Sequence, residues 1–93
     1  MVTYKIVYSK RAVSQIPYLK SSKLDRKAKN LIDLIKENPY QTPPTYEKLQ
    51  GDLKGLYSRR INVKHRLVYQ VEEEKVVRIL SLWSHYEQGL SNK

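Results

Sequence analysis

The chain opens with apolar and polar positions in alternation. Four apolar residues fall on one side of an extended backbone: Val2, Tyr4, Ile6 and Tyr8. This pattern predicts a strand over residues 2–8. Apolar residues then recur at helical spacing over Lys10–Ser22, preceded by Ser9 as a suitable N-cap. Pro17 predicts a kink or a break in this helix, because it has no amide hydrogen and clashes with the preceding turn.

A second helix is predicted to end by Asn38. Ser22, followed three residues later by Asp25, fits a variant of the capping box and would open this helix. Its apolar stripe consists of Leu24, Ala28, Leu31, Ile32 and Ile35. Pro39 ends the pattern, since proline disfavours helical backbone in the residue before it. The proline-rich stretch 38–45 is predicted to be a surface connection.

The second half of the chain changes to a period of two. It predicts a short strand candidate at 47–50, a turn around 51–55, and strands at 56–63, 66–72 and 76–83. Along 56–63 the alternation places Tyr57, Arg59 and Ile61 on one face and Ser58 and Arg60 on the other. The run 76–83 is apolar nearly throughout and therefore predicts a central strand buried on both faces.

These elements predict a small α+β domain in the order β-α-α-β-β-β, with a mainly antiparallel sheet and two helices on one face. The other face would keep Arg, Tyr and Glu side chains and form a basic, half-open surface. We expect one domain over residues 1–86 and a polar tail over residues 87–93.

Composition narrows the classes of function. The 93 residues include 18 Lys and Arg against 9 Asp and Glu, a formal net charge of +9. This excess is typical of proteins that bind polyanions, although solubility alone also explains it. Cysteine is absent, which excludes a disulfide scaffold and a thiolate zinc site. No membrane-spanning run or signal peptide is apparent, so we expect a cytoplasmic protein with no membrane partner.

Four residues at or near the ends of predicted strands could carry chemistry: Glu47, Arg66, His85 and Tyr86. A carboxylate, a guanidinium and an imidazole suffice to cleave RNA by attack of a 2′-hydroxyl on the adjacent phosphate. The carboxylate removes a proton, the imidazole supplies one, and the guanidinium stabilises phosphate charge, so no metal or other cofactor is required. Each residue also has an ordinary structural explanation, because sequence spacing fixes no geometry.

A dense motif in the second half of the chain is similar to that of a known protein family. The segment from Glu47 to Tyr69 contains S-R-R-I-x-x-x-H-R-L-V-Y, and His85 and Tyr86 form an H-Y pair. This pattern resembles the YoeB/Txe toxins of the RelE superfamily. The resemblance implies a type II toxin–antitoxin ribonuclease that enters the A site of the bacterial (70S) ribosome and cleaves mRNA there. It also implies a YefM-like antitoxin partner whose C-terminal segment masks the site. Whether the toxin is a monomer or a homodimer stays open.

The resemblance assigns roles to individual residues. Glu47 matches the general base, His85 the general acid and Arg66 the arginine that stabilises the phosphate. Tyr86 matches a tyrosine that shapes the site and orients the RNA. These roles agree with those that the chemistry of the side chains suggests.

Further residues are expected to bind RNA or the ribosome: Arg59, Arg60, Lys48, Lys54, His65 and Tyr57. Arg59 and Arg60 match the S-R-R pair, which would contact ribosomal RNA or support the site. His65 matches the histidine of H-R-L-V-Y, for which a turn-stabilising role is the preferred interpretation. Lys48 and Lys54 are expected to contact phosphate because of their charge, without support from a motif. Tyr57 stands where the family commonly has tryptophan, so the position stays aromatic.

Two other functions stay open. The first is a non-catalytic relative, such as a ParE-like gyrase inhibitor, but that branch lacks the Glu, Arg and His set that is filled here. The second is a basic module that binds RNA or the ribosome. Such a module has no use for Glu47, because a carboxylate repels phosphate unless it transfers a proton.

Overall fold

A computed structural model describes residues 3–85, without the side chains of residues 84 and 85. The elements are β1 (Lys5–Tyr8), α1 (Lys10–Ser21), α2 (Asp25–Glu37), β2 (Glu47–Lys48), β3 (Leu56–Arg60), β4 (His65–Glu72) and β5 (Val76–His85). A short 3₁₀ turn, Gly51–Leu53, connects β2 to β3. The predicted tail 87–93 and Tyr86 lie outside the described residues.

The strands form one sheet in the order β1-β5-β4-β3-β2. β1 runs parallel to β5, and all other neighbours are antiparallel. The predicted α+β fold with a mainly antiparallel sheet is confirmed. The short strand candidate at 47–50 is an edge strand, and it ends at Lys48. With this strand included, four strands follow the helices in the described residues.

The hydrophobic core lies between the helices and one face of the sheet. Its buried members include Ala12, Leu19, Ala28 and Ile35 from the helices and Leu67, Tyr69, Val77 and Ile79 from β4 and β5. β5 lies inside the sheet, as predicted, but only one of its faces is fully buried. Arg78 and Leu80 on its other face are half-buried, because the helices cover one side of the sheet and Arg78 pairs with Glu72 on the other.

The first helix continues through Pro17, so the predicted break is wrong. Pro17 is exposed, while Ile16 and Leu19 on either side of it pack into the core. Burial of such side chains offsets the lost backbone hydrogen bond and the ring clash of an interior proline, which together cost about 3 kcal/mol.

The predicted capping box at Ser22 is also wrong, because Ser22 closes α1 instead of opening α2. Its hydroxyl donates to the carbonyl of Tyr18 at 2.7 Å. Lys23 then adopts a left-handed φ of 63°, and the amide of Leu24 reaches back to the carbonyl of Leu19. This is the Schellman arrangement that commonly ends a helix, and α2 begins one residue later. The predicted end of α2 at Asn38 is confirmed.

β3 ends at Arg60, three residues before its predicted end at Val63. The chain turns at Asn62, whose side-chain oxygen accepts hydrogen bonds from the amides of Lys64 and His65. This Asx-type turn lets β4 begin at His65. No helix within residues 3–85 is long and apolar enough to cross a membrane.

Replacement of Ile35 by alanine tests the core. Ile35 is completely buried on the core side of α2, so we expect the free energy of unfolding to fall by about 2–5 kcal/mol in urea denaturation. Val13→Ala on the exposed side of α1 is the control and should change it by about 0.5 kcal/mol or less. Equal effects of the two substitutions would contradict this description of the core.

Candidate active site

Three neighbouring strands bring Glu47, Ser58 and Arg66 together on the sheet face away from the core. Glu47 pairs with Ser58 between β2 and β3, and Arg60 pairs with Arg66 between β3 and β4. Nη1 of Arg66 donates to Glu47 Oε1 at 2.8 Å and to Ser58 Oγ at 2.7 Å. Two of the predicted catalytic residues, Glu47 and Arg66, are therefore in direct contact although 19 positions separate them.

The two partners of this ion pair differ sharply in exposure. The side chain of Arg66 is 1% exposed, whereas that of Glu47 is 55% exposed. They lie in a small cleft of about 110 Å³ lined by Pro44, Thr45, Tyr46, Glu47, Ser58, Arg60 and Arg66. A fixed cation at its floor and an accessible carboxylate at its rim suit a site that handles an anion and a proton.

Ser58 is the member of this site that the sequence did not single out. It is fully buried, and its hydroxyl holds the guanidinium that Glu47 also contacts. The predicted alternation placed Ser58 on the same face as Arg60, and the structure confirms that face. The sequence did not show that β4 pairs with β3 and presents Arg66 on the same face as Ser58.

The carboxyl end of β5 reaches the same region of the sheet. Ser84 is the backbone partner of Arg66, and His85 is the partner of His65. Between the pairs Tyr69–Ile79 and Arg66–Ser84, β4 advances three positions and β5 five, so β5 bulges. The backbone of His85 is thus one position from the partner of Arg66, while its side chain, like all of Tyr86, lies outside the described part.

Arg59 lies on the opposite face and is itself 1% exposed. Its guanidinium donates to the carbonyls of Pro39, Gln41 and Pro44 at 2.7–3.0 Å and to the hydroxyl of Tyr69 at 3.2 Å. Through these hydrogen bonds Arg59 holds the connection that precedes Glu47.

The hydroxyl of Tyr69 completes this buried network by donating to the carbonyl of Pro39 at 2.7 Å. Burial raises the pKa of Tyr69 above its ordinary value, and the nearby Arg59 opposes that rise only in part. The phenol therefore stays protonated and keeps its donor.

The tyrosines of β3 and β4 do not lie where the sequence predicted. Tyr57 and Tyr69 lie on the core side, with ring centroids 5.6 Å apart, and not on the open face. Tyr57 also makes edge contacts with Tyr40 and Tyr46. The reason is that the odd-numbered positions of both strands face the helices.

The other predicted contact residues are more dispersed. His65 is buried at the turn, with its ring stacked 3.7 Å from that of Trp83. Lys48 and Lys54 line a separate hollow beside β2, and Arg60 lines the cleft itself. Within the described ranges, no three His, Asp or Glu side chains are grouped so that they could hold a metal ion.

Solved structures show the class of protein to which this fold corresponds. A YoeB/ParE toxin from Agrobacterium tumefaciens superposes with a TM-score of 0.80 at 27% identity, over 88% of this chain and 99% of that one. YoeB in a heterotetrameric YoeB–YefM complex from Staphylococcus aureus gives a TM-score of 0.75 at 34% identity, over 91% and 100%. The fold is that of the RelE-like bacterial toxins.

Sequence comparison identifies the family within that class. The model of the YoeB-like toxin of bacterial type II toxin–antitoxin systems matches residues 8–86. Toxin YoeB of Mycobacterium bovis is 38% identical over 64 residues, which cover 69% of this chain and 74% of the relative. Toxin YoeB of Escherichia coli is 29% identical over 84 residues, covering 88% and 99%. The chain belongs to the YoeB-like toxin family, and the resemblance found in the sequence is confirmed.

Tyr69→Phe tests the buried network through the pH dependence of stability. Loss of the hydroxyl should lower the free energy of unfolding by about 1–3 kcal/mol at pH 7, because buried acceptors and donors lose their partner. The pKa of Tyr69 is raised by folding, so above pH ~10 the folded state holds more protons than the unfolded state. Wild-type stability therefore falls there, and the gap to Tyr69→Phe narrows.

Urea unfolding of both proteins at pH 7, 9 and 10.5 measures this effect. The exposed Tyr18→Phe serves as the control, since it leaves the buried network intact. A gap between wild type and Tyr69→Phe that stays constant over this range would contradict the proposed contribution of the phenol.

Proposed function

We propose that the protein is a ribosome-dependent endoribonuclease that cleaves mRNA in the A site by general acid–base catalysis without a metal. The observation that carries this proposal is the 2.8 Å contact between the exposed carboxylate of Glu47 and the buried guanidinium of Arg66 at an open cleft. In a chain of net charge +9, a carboxylate facing a phosphate site is useful if it moves a proton.

The reaction includes two proton transfers, one from the RNA to Glu47 and one from His85 to the RNA. Glu47 removes the proton of a ribose 2′-hydroxyl, and that oxygen forms a bond to the adjacent phosphorus. The bond from phosphorus to the 5′-oxygen of the next nucleotide breaks, and His85 gives that oxygen a proton. The products are a 2′,3′-cyclic phosphate and a 5′-hydroxyl, and Tyr86 orients the RNA.

Arg66 and its neighbours stabilise the negative charge that develops on the phosphate oxygens. Because so little of Arg66 is exposed, its charge acts on the cleft from its floor. Arg60 lines the cleft and adds a second cation. Lys48 and Lys54 would contact RNA at the hollow that they line beside β2. The reaction would take place in the cytoplasm, where ribosomes are found.

The ParE-like alternative remains a second candidate, since one solved neighbour is described as a YoeB/ParE toxin. An inhibitor of that kind needs no proton transfer, so it gives no reason for the paired Glu47 and Arg66. The endonuclease is therefore the better supported function.

The partner that we propose is a YefM-like antitoxin, because the structural neighbours include a YoeB–YefM complex. A groove of about 590 Å³ adjoins the cleft and is lined by Lys27, Asn30, Leu31, Leu34, Pro44, Arg60, Ile61, Asn62 and Val63. Its wall is mostly apolar, two cations border it, and Val63 is 83% exposed. This surface suits an acidic, amphipathic antitoxin segment that would end near the cleft.

Glu47→Gln tests the enzymatic role. In a translation reaction with a defined message, we expect cleavage beside the A-site codon to slow by about 10²-fold or more, because the base is lost while the shape is kept. His85→Gln should have a similar effect, and Glu73→Gln on the exposed β4–β5 turn is the control. Cleavage by both catalytic variants at nearly the wild-type rate would refute the assignment of roles.

Val63→Asp tests the antitoxin surface. A new carboxylate in the apolar groove should repel an acidic segment and weaken binding of a YefM-like antitoxin by about tenfold, or 1.4 kcal/mol, in calorimetric titrations. Val13→Asp, exposed on α1 away from the groove, should bind normally. Unchanged affinity of Val63→Asp would place the antitoxin elsewhere.

A further inference from the structure

We infer that Arg59 is a positioning residue that fixes Glu47 for proton removal, an inference that rests on the proposed function. Arg59 does not reach the cleft, since its side chain lies on the core side of β3. It acts on Glu47 through the connection 38–46, which joins α2 to β2.

The connection has no regular secondary structure of its own to hold it. Arg59 supplies the missing donors: Nη1 bonds the carbonyl of Pro44 at 2.7 Å, and Nη2 bonds those of Pro39 and Gln41 at 3.0 and 2.9 Å. One guanidinium therefore ties three points of the connection to β3. The last of these points is three residues before Glu47.

Two tyrosines reinforce this arrangement. The hydroxyl of Tyr69 accepts from Nε of Arg59 and donates to the carbonyl of Pro39, so both residues hold the same point. The ring of Tyr46, directly before Glu47, lies 5.1 Å from the guanidinium carbon of Arg59. At this distance the cation also attracts the ring face.

Glu47 depends on this support because β2 is only two residues long. Its backbone pairs are Glu47–Ser58 and Lys48–Tyr57, at the edge of the sheet. So short an edge strand fixes a carboxylate poorly by itself, and a displacement of about 1 Å can slow catalysis by about 10²-fold. The anchored connection therefore sets the position of the carboxylate beside Arg66.

Lysine cannot reproduce this function. Its ammonium group carries three donors on one atom, whereas the planar fork of arginine spreads its donors over four acceptors that surround it here. Arg59→Lys keeps the charge and loses the simultaneous hold on Pro39, Gln41 and Pro44, which makes it the informative substitution.

A double-mutant cycle on mRNA cleavage tests the inference. We expect Arg59→Lys to lower the rate at saturating ribosome–message complex about tenfold, with KM within about twofold of wild type. In the Glu47→Gln background the same change should alter the rate by less than about twofold, because Arg59 acts through that carboxylate. Arg26→Lys, an exposed cation on α2, is the control and should leave the rate unchanged.

Hydrogen exchange of the folded proteins gives a readout that does not need activity. Arg59→Lys should speed exchange in peptides covering 39–48 while peptides from β4 and β5 exchange as in wild type. If residual cleavage by Glu47→Gln is too slow to measure, the hydrogen-exchange result alone decides whether Arg59 holds the connection. Uniformly faster exchange means general destabilisation and overturns the inference.

The outcomes separate this inference from the proposed function. If wild type does not cleave, or if Glu47→Gln cleaves as well as wild type, the proposed function fails before Arg59 is considered. If Glu47→Gln is slow but Arg59→Lys costs the same factor in both backgrounds, the function stands and the positioning role is wrong.

Discussion

Two arginine side chains that are almost completely buried impose the main constraint on this domain. A guanidinium keeps its charge at any ordinary pH, so its burial is tolerated only where acceptors surround it. Arg59 and Arg66 lie on adjacent strands and on opposite faces of the sheet. Arg59 donates hydrogen bonds to backbone carbonyls and to a tyrosine hydroxyl, and Arg66 donates to a carboxylate and to a serine hydroxyl.

The opposite faces give the two cations different tasks. On the core side, Arg59 organises a connection that has little packing of its own, and so links the helical layer to the edge of the sheet. On the open side, Arg66 is held at the floor of a cleft whose rim is an accessible carboxylate. The structural cation and the proposed catalytic cation thus converge on Glu47, one through the backbone before it and one through its side chain.

Local sequence signals predicted most of the elements but failed where a tertiary contact outweighed them. The strand and helix periods and the α+β layers could be derived from the order of apolar residues, and the end of α2 at Asn38 from the proline that follows it. The predictions from Pro17 and Ser22 were wrong. Packing of the residues around Pro17 keeps α1 helical through the proline, and the Ser22 hydroxyl donates back to the Tyr18 carbonyl instead of capping α2. The half-buried side of β5 could not be inferred, since an apolar run does not reveal which face the helices leave uncovered.

The order of residues is enough to indicate the candidate chemistry, because the segment from Glu47 to Tyr69 and the His85–Tyr86 pair contain the proposed catalytic side chains and mark the family. It could not determine which side chains meet. The contact of Glu47 with Arg66, the part of Ser58 and the hold of Arg59 on Pro39–Pro44 follow from pairing across strands. The bulges that bring the backbone of His85 opposite His65 arise the same way. Register is a property of two strands together and is fixed by packing against a shared core, so it cannot be derived from either strand alone.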